Sequence, residues 1–223
     1  MLVPLLLAAL SAAPVPLVCT EGAAVVGAGR ASVAVTAVDS SLAALYASGV
    51  DFATFLASAS ARREQWVKHW EGSQVPADAL ADARALPGNW RILVSAVDGC
   101  SDSVNTIPYL ARLVALVPTL EMRIVLPGPG RPIMEAHRTP DGRPATPTVV
   151  ILDGAGNDVG CWVERPAALQ AKAVEARSAG TLEDFSRNKQ QWYDTDAGAS
   201  TIREIVAVLK AAARATPRCD APR

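Results

Sequence analysis

The segment that most constrains the fold is a junction between an apolar run and an amphipathic stretch, with a cysteine at the turn. Residues 92–97 are apolar except for Ser95, and residues 97–103 read Val-Asp-Gly-Cys-Ser-Asp-Ser. Apolar side chains then recur at helical spacing over 104–117. A short continuous apolar run is typical of a strand buried on both faces. The junction therefore predicts a strand followed by a helix that begins at Cys100, where the positive helix end favours thiolate over thiol.

Further strands and helices are predicted on both sides of this junction. Apolar runs predict strands at 91–97, 121–126, 148–152 and 158–163, and helical periodicity predicts helices at 41–70, 76–86, 101–117, 132–137, 166–178 and 200–213. Pro108 is expected to kink the 101–117 helix. This order of elements predicts an α/β fold with a mixed sheet.

The same patterns divide the chain into four parts. Residues 1–39 form a signal-like apolar segment and an Ala/Gly/Val linker, and residues 40–90 form a helical arm that packs on the core. Residues 91–215 form the α/β domain, and 216–223 a tail.

Charge and hydropathy exclude some classes of function. The 223 residues carry a formal net charge of -1, which gives no electrostatic footprint for nucleic acid. Residues 2–18 are too short and too often interrupted by proline for a membrane span. They resemble a secretory signal without its basic start, so export is slightly favoured over a cytoplasmic location. The alternative is a start codon placed too far upstream.

Four cysteines occur, at positions 19, 100, 161 and 219, and none of them is spaced from another like a metal-ligand pair. With only two histidines in the chain, no metal site is predicted. Cys161 is expected to pack in the core as a strand residue, with a role as a resolving thiol as the alternative. Pairing of Cys19 with Cys219 is left open for an exported protein.

Residues 92–163 resemble the thioredoxin fold. The resemblance depends on Cys100 after a buried strand, on Pro108 eight residues later, and on Thr146-Pro147 before the next-to-last strand, where the fold keeps a cis proline. Motifs of a branch with an N-terminal helical arm recur at 105–110 (Asn-Thr-Ile-Pro-Tyr-Leu), 152–156 (Leu-Asp-Gly-Ala-Gly), 162–166 (Trp-Val-Glu-Arg-Pro) and 192–193 (Trp-Tyr).

This resemblance, which extends over about residues 41–213, implies a three-layer α/β/α sandwich with a mixed central sheet and an N-terminal helical extension. It also implies that Cys100 is the nucleophile and that Thr146 and cis-Pro147 form a groove for an extended substrate peptide. The expected partners are therefore protein or peptide thiols and disulfides.

Three departures from the family pattern limit the chemistry. Gly99 replaces the usual tryptophan, Ser103 replaces the resolving cysteine, and Val94 lies where thioredoxins bury an acid. A single thiolate at Cys100 can still form a mixed disulfide. Its resolution then requires glutathione as a co-substrate, a second protein thiol, or another cysteine of this chain such as Cys161. No other cofactor is expected.

Residues next to Cys100 set opposing electrostatic effects. The helix end favours the thiolate by about 0.3–1 kcal/mol, whereas Asp98 and Asp102 oppose it by like charge. Gly99 and Ser101 complete the immediate environment, and Ser103 is expected at most to donate a hydrogen bond to the sulfur. Asp102 and Ser103 are alternatively interpreted as helix caps.

Two functions follow from these residues. The first is a monothiol oxidoreductase of the Cys-x-x-Ser type that uses Cys100. The alternative is a redox-inactive module in which the arm and the proline groove bind a protein. A small-molecule thiol transferase is a weaker third hypothesis, because no basic cluster offers a site for the glutathione carboxylates.

Overall fold

A five-stranded mixed sheet forms the centre of the fold in the computed structural model, which describes residues 40–216 and 218–219. The strands are β1 (Trp90–Ser95), β2 (Leu120–Val125), β3 (Thr148–Leu152), β4 (Asp158–Val163) and β5 (Arg218–Cys219), in the order β2-β1-β3-β4-β5. β1 is parallel to β2 and antiparallel to β3, while β4 is antiparallel to β3 and parallel to β5. The predicted α/β fold with a mixed sheet is confirmed.

Ten helices are present in the described residues and surround this sheet. They are α1 (Ser40–Ser48), α2 (Phe52–Ser58), α3 (Arg63–Gly72), α4 (Ala77–Arg84), α5 (Ser101–Val104), α6 (Ile107–Leu116), α7 (Arg131–Ala136), α8 (Ala167–Ser178), α9 (Leu182–Asp196) and α10 (Ala199–Ala213). None of these helices is both long and apolar enough to cross a membrane. The signal-like segment and linker predicted for residues 1–39 lie outside the described residues.

Alternate residues of β1 face two different helical layers. Ile92 and Val94 belong to a large buried cluster with residues of α6 and α10. Leu93 belongs to a second cluster with Ile133 of α7 and Tyr46 of α1. Because successive strand side chains point to opposite faces, the sheet is covered on both faces and the structure has three layers.

The N-terminal arm comprises three helices before residue 73 rather than the continuous helical stretch predicted at 41–70. The chain first leaves helix at Gly49, where an added Cβ would lie 2.9 Å from the Cβ of Arg123 in β2. The next residue, Val50, forms an isolated bridge to Ile124. Close approach of the arm to an edge strand therefore interrupts the helix, which local periodicity does not reveal.

The predicted kinked helix at 101–117 is two helices, α5 and α6. The break falls at Asn105 and Thr106, and Pro108 lies in the first turn of α6. A proline there removes no intrahelical hydrogen bond, because the first N–H groups of a helix have no partner within it. The expectation of a kink inside one helix is therefore wrong, and the proline instead begins a new helix.

Two elements of the C-terminal part were not predicted. The first is α9, a mostly polar helix that buries only Tyr193. The turn into α10 requires glycine, since Gly198 has φ +77° and an added Cβ would lie 2.1 Å from the Tyr109 ring. The second is β5, whose residues fall in the segment interpreted as a tail.

Candidate active site

Cys100 lies at the N-cap of α5, at the end of the loop that follows β1. Its side chain is fully buried, and its sulfur accepts a hydrogen bond from the Ser103 N–H at 3.5 Å. The same sulfur is 3.3 Å from the carbonyl oxygen of Thr146. The Thr146–Pro147 peptide bond is cis. The fold thus brings Cys100 and Ser103 together with the loop that precedes β3.

All three cysteines in the described part of the chain are in disulfides. Cys161 of β4 pairs with Cys219 of β5, so the alternative pairing of Cys219 with Cys19, which lies outside the described residues, is wrong. Cys161 is 1% exposed, as expected of a packed strand residue, but its sulfur is occupied by this bond. Cys100 is also bonded in a disulfide.

The capping of α5 differs from the alternative suggested by the sequence. The Cys100 sulfur is the cap, whereas the buried Ser103 hydroxyl has no hydrogen-bond partner among the described residues. The Asp102 carboxylate instead contacts Arg165, Lys189 and Tyr193. The interpretation of Asp102 and Ser103 as caps is therefore wrong, and Ser103 contacts the sulfur through its backbone.

Asp102 is the centre of a buried charge cluster formed with the C-terminal helices. Its carboxylate accepts hydrogen bonds from Arg165 Nη2 at 3.0 Å, Lys189 Nζ at 3.2 Å and Tyr193 Oη at 2.8 Å. Burial by itself would raise the pKa of this carboxyl, but the positive charges of Arg165 and Lys189 outweigh it and hold the pKa below its usual value. Asp102 is therefore a paired carboxylate.

Glu164 adds a second acid to this cluster. It contacts Arg165 at 2.9 Å and Arg143 at 3.2 Å, and its side chain is 2% exposed. Burial, reinforced by the negative charge of Asp102, raises the pKa of Glu164 despite the two arginines. Burial and Asp102 also raise the pKa of Tyr193, so its hydroxyl stays protonated and donates to Asp102.

Asp98 is engaged by the N-terminal arm. Its carboxylate accepts hydrogen bonds from the N–H groups of Ser60 and Ala61, each at 2.8 Å. Its carbonyl accepts one from the indole N–H of the fully buried Trp66 at 2.9 Å. Arg62 donates in the same way to the carbonyl of Gly99 at 2.9 Å. The arm therefore holds the loop that positions Cys100.

These contacts change the electrostatic balance expected around the sulfur. Both flanking aspartates make compensating contacts, Asp102 with two cations and Asp98 with backbone N–H groups. The sequence does not predict that Arg165 and Lys189 contact Asp102, because they lie 65 and 89 positions after Cys100. The sequence signals for the charge cluster around Asp102 are the Trp-Val-Glu-Arg-Pro motif, which contains Arg165, and the Trp192-Tyr193 pair. Neither motif by itself indicates a role at the site.

Comparison with known proteins agrees with this architecture. A family model described as thioredoxin matches residues 49–179, which is more than half of the chain. The chain belongs to the thioredoxin family. No match was found among curated proteins.

Two crystal structures share the fold of this thioredoxin-family chain at low sequence identity. A protein of unknown function from Pseudomonas aeruginosa is 22% identical with a TM-score of 0.59, covering 76% of this chain and 97% of the other. An HIV epitope-scaffold protein is also 22% identical, with a TM-score of 0.56, and covers 75% of this chain and 96% of its own. At this identity the likeness is one of fold.

Proposed function

We propose that this protein performs thiol–disulfide exchange through Cys100, with an extended peptide bound beside Thr146 and Pro147. The observation that carries the proposal is the 3.3 Å separation between the Cys100 sulfur and the Thr146 carbonyl oxygen. Extended peptides commonly bind by main-chain hydrogen bonds to an exposed backbone edge. A peptide at this loop would bring its own sulfur close to Cys100.

The exchange has two steps that balance. Reduction of the disulfide that holds Cys100 in this structure, by a dithiol that is itself oxidised to a disulfide, first frees the Cys100 thiolate. This thiolate then attacks one sulfur of a substrate disulfide, a new S–S bond forms, and the other substrate sulfur leaves as a thiolate that takes a proton from water. A second thiolate then attacks the mixed disulfide and releases Cys100. That thiolate comes from glutathione, from a partner protein or from another cysteine of this chain, because Ser103 has no thiol.

The surroundings of the sulfur support a reactive thiolate. The Ser103 N–H points at the sulfur, and Cys100 caps the positive end of α5. Once the sulfur is reduced, such groups stabilise its negative charge. The Asp102 carboxylate opposes the thiolate less than its charge suggests, because Arg165 and Lys189 both contact it.

Glutathione labelling tests the exchange directly. The full chain is reduced, freed of reductant and incubated with oxidised glutathione near neutral pH, and the adducts are located by peptide mass spectrometry. We expect one adduct at Cys100, absent from Cys100→Ser and retained in Cys219→Ser. An unmodified Cys100 in a chain with an unchanged circular dichroism spectrum would contradict the proposal.

The second candidate is a thioredoxin-fold binding module without exchange. The observation that favours it is the complete burial of Cys100, whose side chain is 0% exposed. In this case the arm and the Pro147 loop hold a protein partner, and the disulfide of Cys100 has a structural role only. Partner capture by Cys100→Ala separates the two: capture equal to wild type supports binding alone, and its loss supports exchange.

We also propose that the protein works in an oxidising compartment. The Cys161–Cys219 disulfide supports this location, because disulfides persist in secreted and periplasmic proteins and are rare in the cytosol. The signal-like sequence at residues 2–18 points the same way. Fractionation of cells that express the full chain tests the location, and recovery in the cytosol with reduced Cys161 would contradict it.

A further inference from the structure

Three residues of types that bind metals lie close together on β4, on β5 and at the end of α7. Nδ1 of His137 lies 3.6 Å from the Cys219 sulfur, and Cys219 is bonded to Cys161. One ligand-type atom from each of these three residues lies within 4.8 Å of the other two. His137 is 24 positions before Cys161, and Cys161 is 58 positions before Cys219. The three residues therefore do not form a sequence motif with the spacing of a metal site.

Asp158 orients the histidine in this cluster. Its carboxylate contacts Nε2 of His137 at 2.5 Å, so the opposite ring nitrogen faces the sulfurs. Histidines that bind metals characteristically give their second nitrogen to a carboxylate, which fixes the ring and its tautomer. His137 and Asp158 therefore already have the arrangement that a metal site requires.

We propose that reduction of the Cys161–Cys219 disulfide converts this cluster into a site for one zinc ion. The ligands are the two thiolates and Nδ1 of His137, with the fourth position filled by water. Two sulfurs and an imidazole are a donor set that zinc favours over hard cations such as magnesium. A sulfur that is bonded in the disulfide cannot bind zinc as a thiolate. The disulfide form and the zinc-bound form therefore exclude each other.

The conversion balances with a dithiol as the reductant. The dithiol gives two electrons and two protons to the disulfide and becomes a disulfide itself, leaving thiols at Cys161 and Cys219. Zinc then displaces the two thiol protons to solvent and does not change its own oxidation state. The thiolates remain bound to the metal until an oxidant restores the sulfur–sulfur bond.

The two cysteines differ in how much they can move. Two sulfurs that each bind zinc at about 2.3 Å in a tetrahedral site are roughly 3.7 Å apart, so the freed sulfurs must separate. Cys161 is buried within β4 and keeps its place, whereas Cys219 is exposed on a two-residue strand. A small displacement of Cys219 accommodates the ion, and its exposure gives the reductant access.

Cobalt substitution tests the site without reference to any enzymatic activity. The full chain with Cys19→Ser and Cys100→Ser, which leaves only the two cysteines in question, is reduced and titrated with Co²⁺ under anaerobic conditions. We expect one equivalent to bind with a thiolate-to-cobalt charge-transfer band, and Zn²⁺ to displace it. The oxidised chain serves as the control and is expected to bind none.

Variants of the cluster decide whether these residues are the ligands. Cys219→Ser should abolish the charge-transfer band, and Asp158→Asn should weaken binding about 10–100-fold. His137→Ala should weaken it at least as much, while His69→Gln, at the other histidine of the sequence, should not. Absence of cobalt from the reduced and folded chain, or binding unchanged in His137→Ala or Cys219→Ser, would overturn the proposal.

Discussion

The guanidinium of Arg165 lies 3.0 Å from the carboxylate of Asp102, and neither side chain is more than 1% exposed. This pair joins the residue two positions after Cys100 to the segment that follows β4. Charges removed from water are costly unless each is compensated, so each member depends on the other. The helix α5, which begins directly after Cys100, is therefore fixed to the C-terminal part of the fold by an ion pair.

Removal of the arginine should be strongly destabilising. Arg165→Met leaves Asp102 and Glu164 short of a positive charge in a buried place, and we expect a loss of about 3–5 kcal/mol in the free energy of unfolding by urea. Arg203→Met, which breaks an exposed pair with Asp78, is the matched control and should change little. If Arg165→Met and Arg203→Met lost the same free energy of unfolding, burial of the Arg165 ion pair would not be the cause of the effect.

The pair should also make stability depend on pH. The pKa of the Asp102 carboxyl is lowered in the folded state, so the stability it contributes is present above the unfolded value of about 3.9 and is lost as the pH falls through the folded value. The difference in unfolding free energy between the parent and Asp102→Asn should therefore be constant from pH 7 to about 5 and should shrink below about 4.

This comparison is best made in a Glu164→Gln background. The raised pKa of Glu164 acts in the opposite direction, because that acid contributes most below its unfolded value of about 4.3 and loses this contribution as the pH rises through the folded value. Removing this carboxyl isolates Asp102. If the difference in unfolding free energy between the parent and Asp102→Asn stayed constant down to pH 3, Asp102 would not be the source of the pH dependence of stability.

Loss of the Ser103 hydroxyl should cost no stability. This buried oxygen lacks a hydrogen-bond partner among the described residues, and an unpartnered polar group in the interior is unfavourable. Ser103→Ala should therefore be as stable as wild type or more so in thermal and urea unfolding. Thr106→Val is the matched control: it removes a buried hydroxyl that donates to the Asp102 carbonyl at 2.7 Å, and should cost about 1 kcal/mol.

The C-terminal strand should depend on its disulfide. Peptide mapping without reduction should link the peptides of Cys161 and Cys219, and a link between Cys19 and Cys219 would contradict the structure. A bridge over 58 positions constrains the unfolded chain, and a chain-entropy estimate of its effect is about 4 kcal/mol. Cys219→Ser should lower the free energy of unfolding by an amount of that order, measured against oxidised wild type.

Local patterns predicted most of the sheet and several helices. The bounds of β3 and β4 follow from apolar runs between turn residues, and α10 follows from a clear apolar face. α9 was not predicted because most of its 15 residues are polar, with only four large apolar side chains among them: Leu182, Phe185, Trp192 and Tyr193. The break between α5 and α6 was not predicted, because Pro108 is compatible both with a kink inside a helix and with the first turn of a new helix.

The candidate site, like the fold, was predicted only in part from the sequence. The sequence by itself determined that Cys100 would begin a helix after a buried strand and that Ser103 would leave it without a neighbouring thiol, because both depend on residues adjacent in the chain. Only the tertiary structure decided that Arg165 and Lys189 compensate Asp102, and that Cys161 bonds to Cys219. Charge pairing and disulfide formation depend on distances in space, and residues far apart along the chain approach one another only when the sheet and its helices have packed.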